Sequence, residues 1–151
     1  MNTTTFEEIL ARVGKLIYRT KGRSMLPLLR QNRDLVIIEP PKGRLKRRDI
    51  ALFKRGNDYV LHRVIKAREN DYVFRGDNNY FTEDGITDTA IVGVLTGFVK
   101  DGKQHSVTEK GYRFCSGLWL AVYPFRALIV AAKRGLKKLI SRDKKTGQSK
   151  R

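Results

Sequence analysis

The chain has 151 residues, a formal net charge of +17 (32 Lys and Arg against 15 Asp and Glu) and a single cysteine. One cysteine excludes an internal disulfide and any cysteine-cluster metal site. The length suits one domain with a real core, and the charge points to anionic partners, either phospholipid headgroups or nucleic acid.

The N-terminus has no positive segment leading into an apolar run, so neither a secretory signal nor an N-terminal anchor is expected. No stretch reaches the roughly 18–20 uninterrupted apolar residues of a spanning helix. Thr5 and Glu8 form a capping box, and Phe6, Ile9, Leu10, Val13, Leu16 and Ile17 recur at helical spacing. This predicts an amphipathic helix running to about Tyr18. From Lys21 to about Val99 the pattern becomes strand-like. Leu35–Ile38, Asp49–Phe53, Tyr59–Ala67, Tyr72–Phe74 and Ile91–Leu95 are separated by Pro, Gly, Asn and Asp clusters. Short strands divided in this way predict a mainly β fold, a small antiparallel assembly or partial barrel. The basic run 42–48 reads as an exposed loop, and Asp49 as a turn or cap residue. Cys115 is expected to pack as a small hydrophobe.

From Gly117 the chain is apolar and aromatic. Phe125, Leu128, Ile129, Ala132, Leu136, Leu139 and Ile140 mark one helix face, and Arg126, Lys133, Arg134, Lys137 and Lys138 the other. That is the pattern of a helix lying in a bilayer interface, with Trp119 and Tyr123 as headgroup-depth residues. Pro124 and Arg126 argue against a full span. From Lys133 to Arg151 there are nine basic residues and one acid, a tail drawn to anionic lipid. A helix packed on the domain with a solvated charged side is the competing reading. The expected organisation is therefore a helix over 1–20, a β domain over 21–116, a helical segment over 117–141 and a disordered basic tail over 142–151.

Within the β region, Gly22-Arg-Ser-Met-Leu-Pro27 precedes Leu61-His-Arg-Val-Ile65 and then Arg75-Gly-Asp-Asn-Asn79. A serine hydroxyl needs a base to become a nucleophile, and histidine suits that role near neutrality. His105 lies in a turn-like, exposed segment, so if the chain uses a histidine base His62 is the choice by elimination. The competing reading of His62 is a core histidine with a satisfied hydrogen bond. Gly22 permits an unusual backbone angle just before Ser24. Pro27 fixes the chain after it, so that Arg23, Ser24 and Met25 help shape an oxyanion site. Asp77 and Asp84 compete for the third role, orienting the imidazole. For Asp77 the alternative is a turn-holding side chain.

Together these segments resemble the type I signal peptidase family in its histidine branch, the endoplasmic-reticulum and archaeal type. Ser24-Met-Leu-Pro27 is similar to its nucleophile box. Arg48-Asp-Ile-Ala-Leu-Phe53 is similar to its Gly-Asp-Ile-Val-x-Phe strand, with Arg48 in place of glycine. Leu61-His-Arg-Val-Ile65 is similar to its histidine box. Arg75-Gly-Asp-Asn-Asn79, with Glu83-Asp84 beyond, is similar to its acidic box. The resemblance covers about Lys21 to Gly97. It implies the mostly-β fold shared with LexA-type self-cleaving repressors and a serine peptidase that needs no metal or cofactor. Ser24, His62 and Asp84 are then the catalytic residues, and Asp77 the turn acid of the acidic box. The implied substrate is a leader or signal segment with small residues before the cut. The family's N-terminal membrane anchor is replaced here by a helix without anchor character, which leaves a membrane-associated, C-terminally anchored or peripheral protein that is otherwise cytoplasmic. Two alternatives stand beside this reading: a LexA-like self- or repressor-cleaving module, and a non-enzymatic basic module. The latter lacks any recognised nucleic-acid motif.

Overall fold

The computed structural model describes the backbone of residues 4–147 and the side chains of residues 4–133. Helix α1 spans Phe6–Val13, and its N-terminus carries the Thr5–Glu8 capping box. It stops five residues short of the predicted end. Gly14 adopts a left-handed conformation (φ 75°) and its N–H closes onto the Leu10 carbonyl, the ending that glycine makes cheap. Leu16–Arg19 then forms strand β1. The helical spacing of Leu16 and Ile17 was coincidence.

Seven further strands follow: β2 (Leu35–Glu39), β3 (Ile50–Arg55), β4 (Asp58–Ala67), β5 (Tyr72–Arg75), β6 (Glu83–Ile86), β7 (Ile91–Lys100) and β8 (Lys103–Ser106). They make an eight-stranded sheet in the order β1-β2-β7-β3-β4-β5-β6, with β8 pairing β7. All pairings are antiparallel. Register shifts at Ile37/Ile38, Leu52/Phe53, Val64/Lys66 and Tyr72/Phe74 bend and twist the strands locally. The mainly β expectation is met, with β1, β6 and β8 added to the five predicted strands.

Successive residues of a strand face opposite sides, and here both sides are covered. Ile50, Leu52 and Leu61 join Leu10, Leu16, Met25, Leu29, Val36, Ile38, Leu95 and Phe98 in one core. Ala51, Phe53 and Val64 join Leu45, Tyr72 and Phe74 in the other. Leu45 thus anchors the otherwise exposed 42–48 loop. In the same stretch, Asp49 Oδ2 accepts the Lys46 N–H at 2.7 Å and holds the turn, as expected.

The chain divides between Ser116 and Gly117 into two units. Helix α2 runs over Lys110–Gly147 with Pro124 inside it, so it begins earlier and its described backbone ends later than the predicted segment. Residues 148–151 of the basic tail lie outside the described residues. The 24 residues Lys110–Lys133 are long and apolar enough to cross a membrane by length and composition, and very little of that stretch is buried. Arg113 and Arg126 interrupt the stretch, so it holds no uninterrupted apolar run of spanning length, but it begins before the predicted segment and takes in Tyr112, Phe114 and Cys115. Phe114, Leu118, Phe125, Leu128 and Ile129 are all more than half exposed. Cys115 is exposed too, not packed. The Arg126 guanidinium sits 4.0 Å from the centre of the Trp119 ring, two turns earlier, a cation–π contact that shields its charge. Arg134, Lys137 and Lys138 lie outside the described side chains.

Candidate active site

The serine loop is built by backbone needs. Gly22 has φ +88°, a conformation glycine adopts freely, and it turns the chain from β1 into the loop over 22–30. Met25 and Leu29 are buried in the first core and fasten the loop from beneath. Its far end is tied by Asp34, only 1% exposed, which accepts the Arg30 N–H at 2.8 Å and pairs with the Arg30 guanidinium. Lys100 Nζ donates to the carbonyls of Pro27 and Leu28, both at 3.1 Å. The Leu26–Pro27 peptide bond is cis.

Ser24 itself is locked from the opposite side by the turn after β5. Asn78 N–H donates to the Ser24 carbonyl at 2.7 Å, and Asn78 Nδ2 to the Arg23 carbonyl at 3.3 Å. Gly76 makes the approach possible: a Cβ there would stand 2.7 Å from Ser24 O and 2.8 Å from Ser24 Cβ. Among the described residues, no hydrogen bond uses the backbone N–H groups of Ser24 or Met25. They remain available to a bound oxyanion.

His62 comes from the middle of β4, opposite Ala51 of β3. Its ring meets the Phe53 ring edge-on at 6.1 Å. Ser24, His62, Asn79 and Glu83 line one cleft of about 570 Å³, walled by aromatic residues including Tyr18 and Tyr59. His105 is absent from it. That residue is half-buried on β8, stacked on Phe98 at 5.2 Å and 3.4 Å from Glu109.

The third residue differs from expectation. Asp84 is exposed and pairs with Arg68 at 2.8 Å, with Thr82 also bonded to it. Asp77 is buried, and its two oxygens accept from Arg63 Nε and Nη2, each at 2.7 Å. Neither meets the imidazole. The carboxylate that does is Glu83, the other member of the acidic pair, whose Oε1 lies 3.4 Å from His62 Nδ1. The reason is strand β6, which the sequence analysis read as loop. Glu83 registers with Phe74 of β5, and alternation then turns Asp84 the other way.

His62 is 4% exposed. Burial, reinforced by the charge of Arg55, pushes its pKa down from 6.5 to about 4, while Asp77 acts in the opposite direction. The ring is therefore neutral at physiological pH, the form a general base needs. Glu83 Oε1 also accepts from Arg55 Nη1 at 2.8 Å. Neither His62 Nδ1 nor Glu83 Oε2 has a hydrogen-bond partner among the described residues. Buried orphans of this kind call for an explanation, and catalytic hydrogen bonds are often long until substrate binds.

Arg63, adjacent in sequence, is saturated by contrast. Besides Asp77 it donates through Nη1 to Ser116 Oγ at 2.5 Å and to the Arg48 carbonyl at 3.1 Å. Burial opposes its charge, but the Asp77 bonds outweigh that and raise its pKa. The pair ties β4 to the turn that grips Ser24. Asp77 is thus a positioning residue acting through Asn78, not a group that reaches the imidazole. No side-chain cluster fit to hold a metal ion occurs among the described residues. No protein-family model matches the chain and no curated protein matches it, so the geometry of the cleft carries the functional reading.

Proposed function

We propose that the chain is a serine endopeptidase of the signal-peptidase type, in the histidine branch of that family and with its LexA-like fold, cutting leader or signal segments at a membrane surface. The observation that carries this reading is the meeting of Ser24, His62 and Glu83 in one cleft, with the base held neutral and two backbone N–H groups unused beside the nucleophile.

In the mechanism, His62 Nε2 takes the Ser24 hydroxyl proton as Oγ attacks the scissile carbonyl. The N–H groups of Ser24 and Met25 receive the oxyanion, and one such donor is worth about 3–4 kcal/mol of transition-state stabilisation. His62 then returns the proton to the leaving amine, and water repeats the cycle on the acyl-enzyme. Glu83 faces the Nδ1 side, fixing the tautomer and stabilising the transient imidazolium. Asp77 and Arg63 hold the serine loop. No step calls for a metal or cofactor. The apolar stretch Lys110–Lys133 and the basic residues that follow it support association with an anionic membrane.

The test is mass spectrometry of membrane-protein precursors incubated with wild type and with Ser24→Ala. Cuts after small residues that vanish in the variant support the reading; cuts that persist, or no cut in any precursor, end it.

A further inference from the structure

A second concavity, of about 470 Å³, opens on the first unit beside the 46–49 turn and shares no lining residue with the Ser24–His62 cleft. Lys46, Arg47, Arg48 and Arg113 line it. None of these four side chains has an ion-pair or hydrogen-bond partner among the described residues. Arg30, Arg44, Arg55, Arg63 and Arg68 each meet a carboxylate elsewhere in the fold, but here four cations share one hollow. The carboxylate lining this pocket is Asp49, and its Oδ2 is taken by the Lys46 N–H. Four exposed like charges around one hollow focus a positive potential there that draws anions in.

Arg48 strengthens the case. Its φ is +85°, the left-handed region that a side chain other than glycine resists. The backbone demands that angle, since Arg48 N–H reaches the Val64 carbonyl at 2.9 Å while its own carbonyl receives Arg63 Nη1. Glycine would meet the demand without strain. A strained non-glycine residue at a pocket rim points to use of its side chain. Tyr112 and Ser116 add two hydroxyls to the lining, and both lie against Arg63 Nη1.

We propose that this pocket binds a phosphate group. Guanidinium forks match phosphate oxygens two at a time, and the hydroxyls supply the neutral partners that a many-oxygened anion also takes. The phosphate is either free or borne by an anionic phospholipid. The second source has its own support, because Arg113 belongs to the same helical stretch, Lys110–Lys133, that is apolar enough to enter a bilayer. This proposal is independent of the peptidase reading.

The test has two arms, both on the full chain: titration with inorganic phosphate at fixed ionic strength, and flotation with phosphatidylcholine vesicles carrying phosphatidylglycerol. Arg48→Gly and Arg47→Ala are compared with Lys42→Ala, which removes an equal charge from the same loop outside the pocket. In whichever arm reports the true source, each pocket variant weakens binding roughly tenfold and Lys42→Ala does not. Arg48→Gly also raises Tm, so affinity and stability move in opposite directions. Loss in the phosphate arm identifies free phosphate as the source, and loss confined to vesicles identifies the headgroup. The proposal fails if wild type binds in neither arm, or if the pocket variants match Lys42→Ala in both.

Discussion

His62 and Arg63 are neighbours on β4, turned to opposite sides of the sheet, and the two sides treat them in opposite ways. Arg63 is surrounded by acceptors and its charge is fully engaged. His62 is as deeply buried, yet its Nδ1 is left unbonded 3.4 Å from a carboxylate. A saturated buried ion pair fixes geometry; an unsaturated buried base retains the capacity to react. A fully bonded and an underbonded buried side chain thus sit one residue apart on β4.

Breaking the chemical side gives the largest effect. Ser24→Ala or His62→Ala lowers kcat on a cleavable precursor by roughly 10⁴-fold or more, while circular dichroism shows the fold retained. Breaking the structural side moves stability instead. Asp77→Ala leaves Arg63 buried without its counter-charge and destabilises by about 3–5 kcal/mol in urea unfolding. Arg63 and Asp77 replaced together by apolar residues recover much of that loss.

The base also has a pH signature. The folded state depresses the His62 pKa from 6.5 to about 4, so the unfolded chain binds more protons between those values. The His62 contribution is complete above pH 6.5 and is lost as pH falls towards 4, roughly 3 kcal/mol in all. Unfolding midpoints followed across that window in wild type and His62→Leu isolate it. The acid limb of kcat/KM falls in the same low range, well under the usual histidine value. Glu83→Gln, which keeps the shape of the side chain but not its charge, lowers kcat by about 10²-fold. Asp84→Ala, by contrast, removes only exposed pairs and changes stability by less than about 1 kcal/mol. If Asp84→Ala proved the more damaging of the two in turnover, the assignment of the orienting carboxylate would be reversed.

Five of the strands were readable because apolar runs ended at turn residues, as at Pro40-Pro41 and Gly56-Asn-Asp58. Strand β6 was not, because Glu83-Asp-Gly-Ile has a single apolar residue and owes its conformation to pairing with β5. That one omission hid which member of the acidic pair lies beside the imidazole. The order of Ser24 and His62 was legible, as was the acidic pair, but choosing within the pair required the register. The Arg63–Asp77 bond lay hidden for a related reason: a turn acid and a buried arginine partner look alike until the strands are laid side by side. Strand β1 was masked by a helical period, with Gly14 the signal that should have ended the helix sooner.

Phe6 of α1 packs, tilted, against Tyr18 and Tyr59 at 5.2 and 4.6 Å, and Tyr59 OH donates to Glu7 at 2.5 Å; all three rings line the cleft. Helix α1 is therefore part of the cleft wall. Any activity attributed to this cleft is thus best compared between variants after an N-terminal affinity handle has been removed.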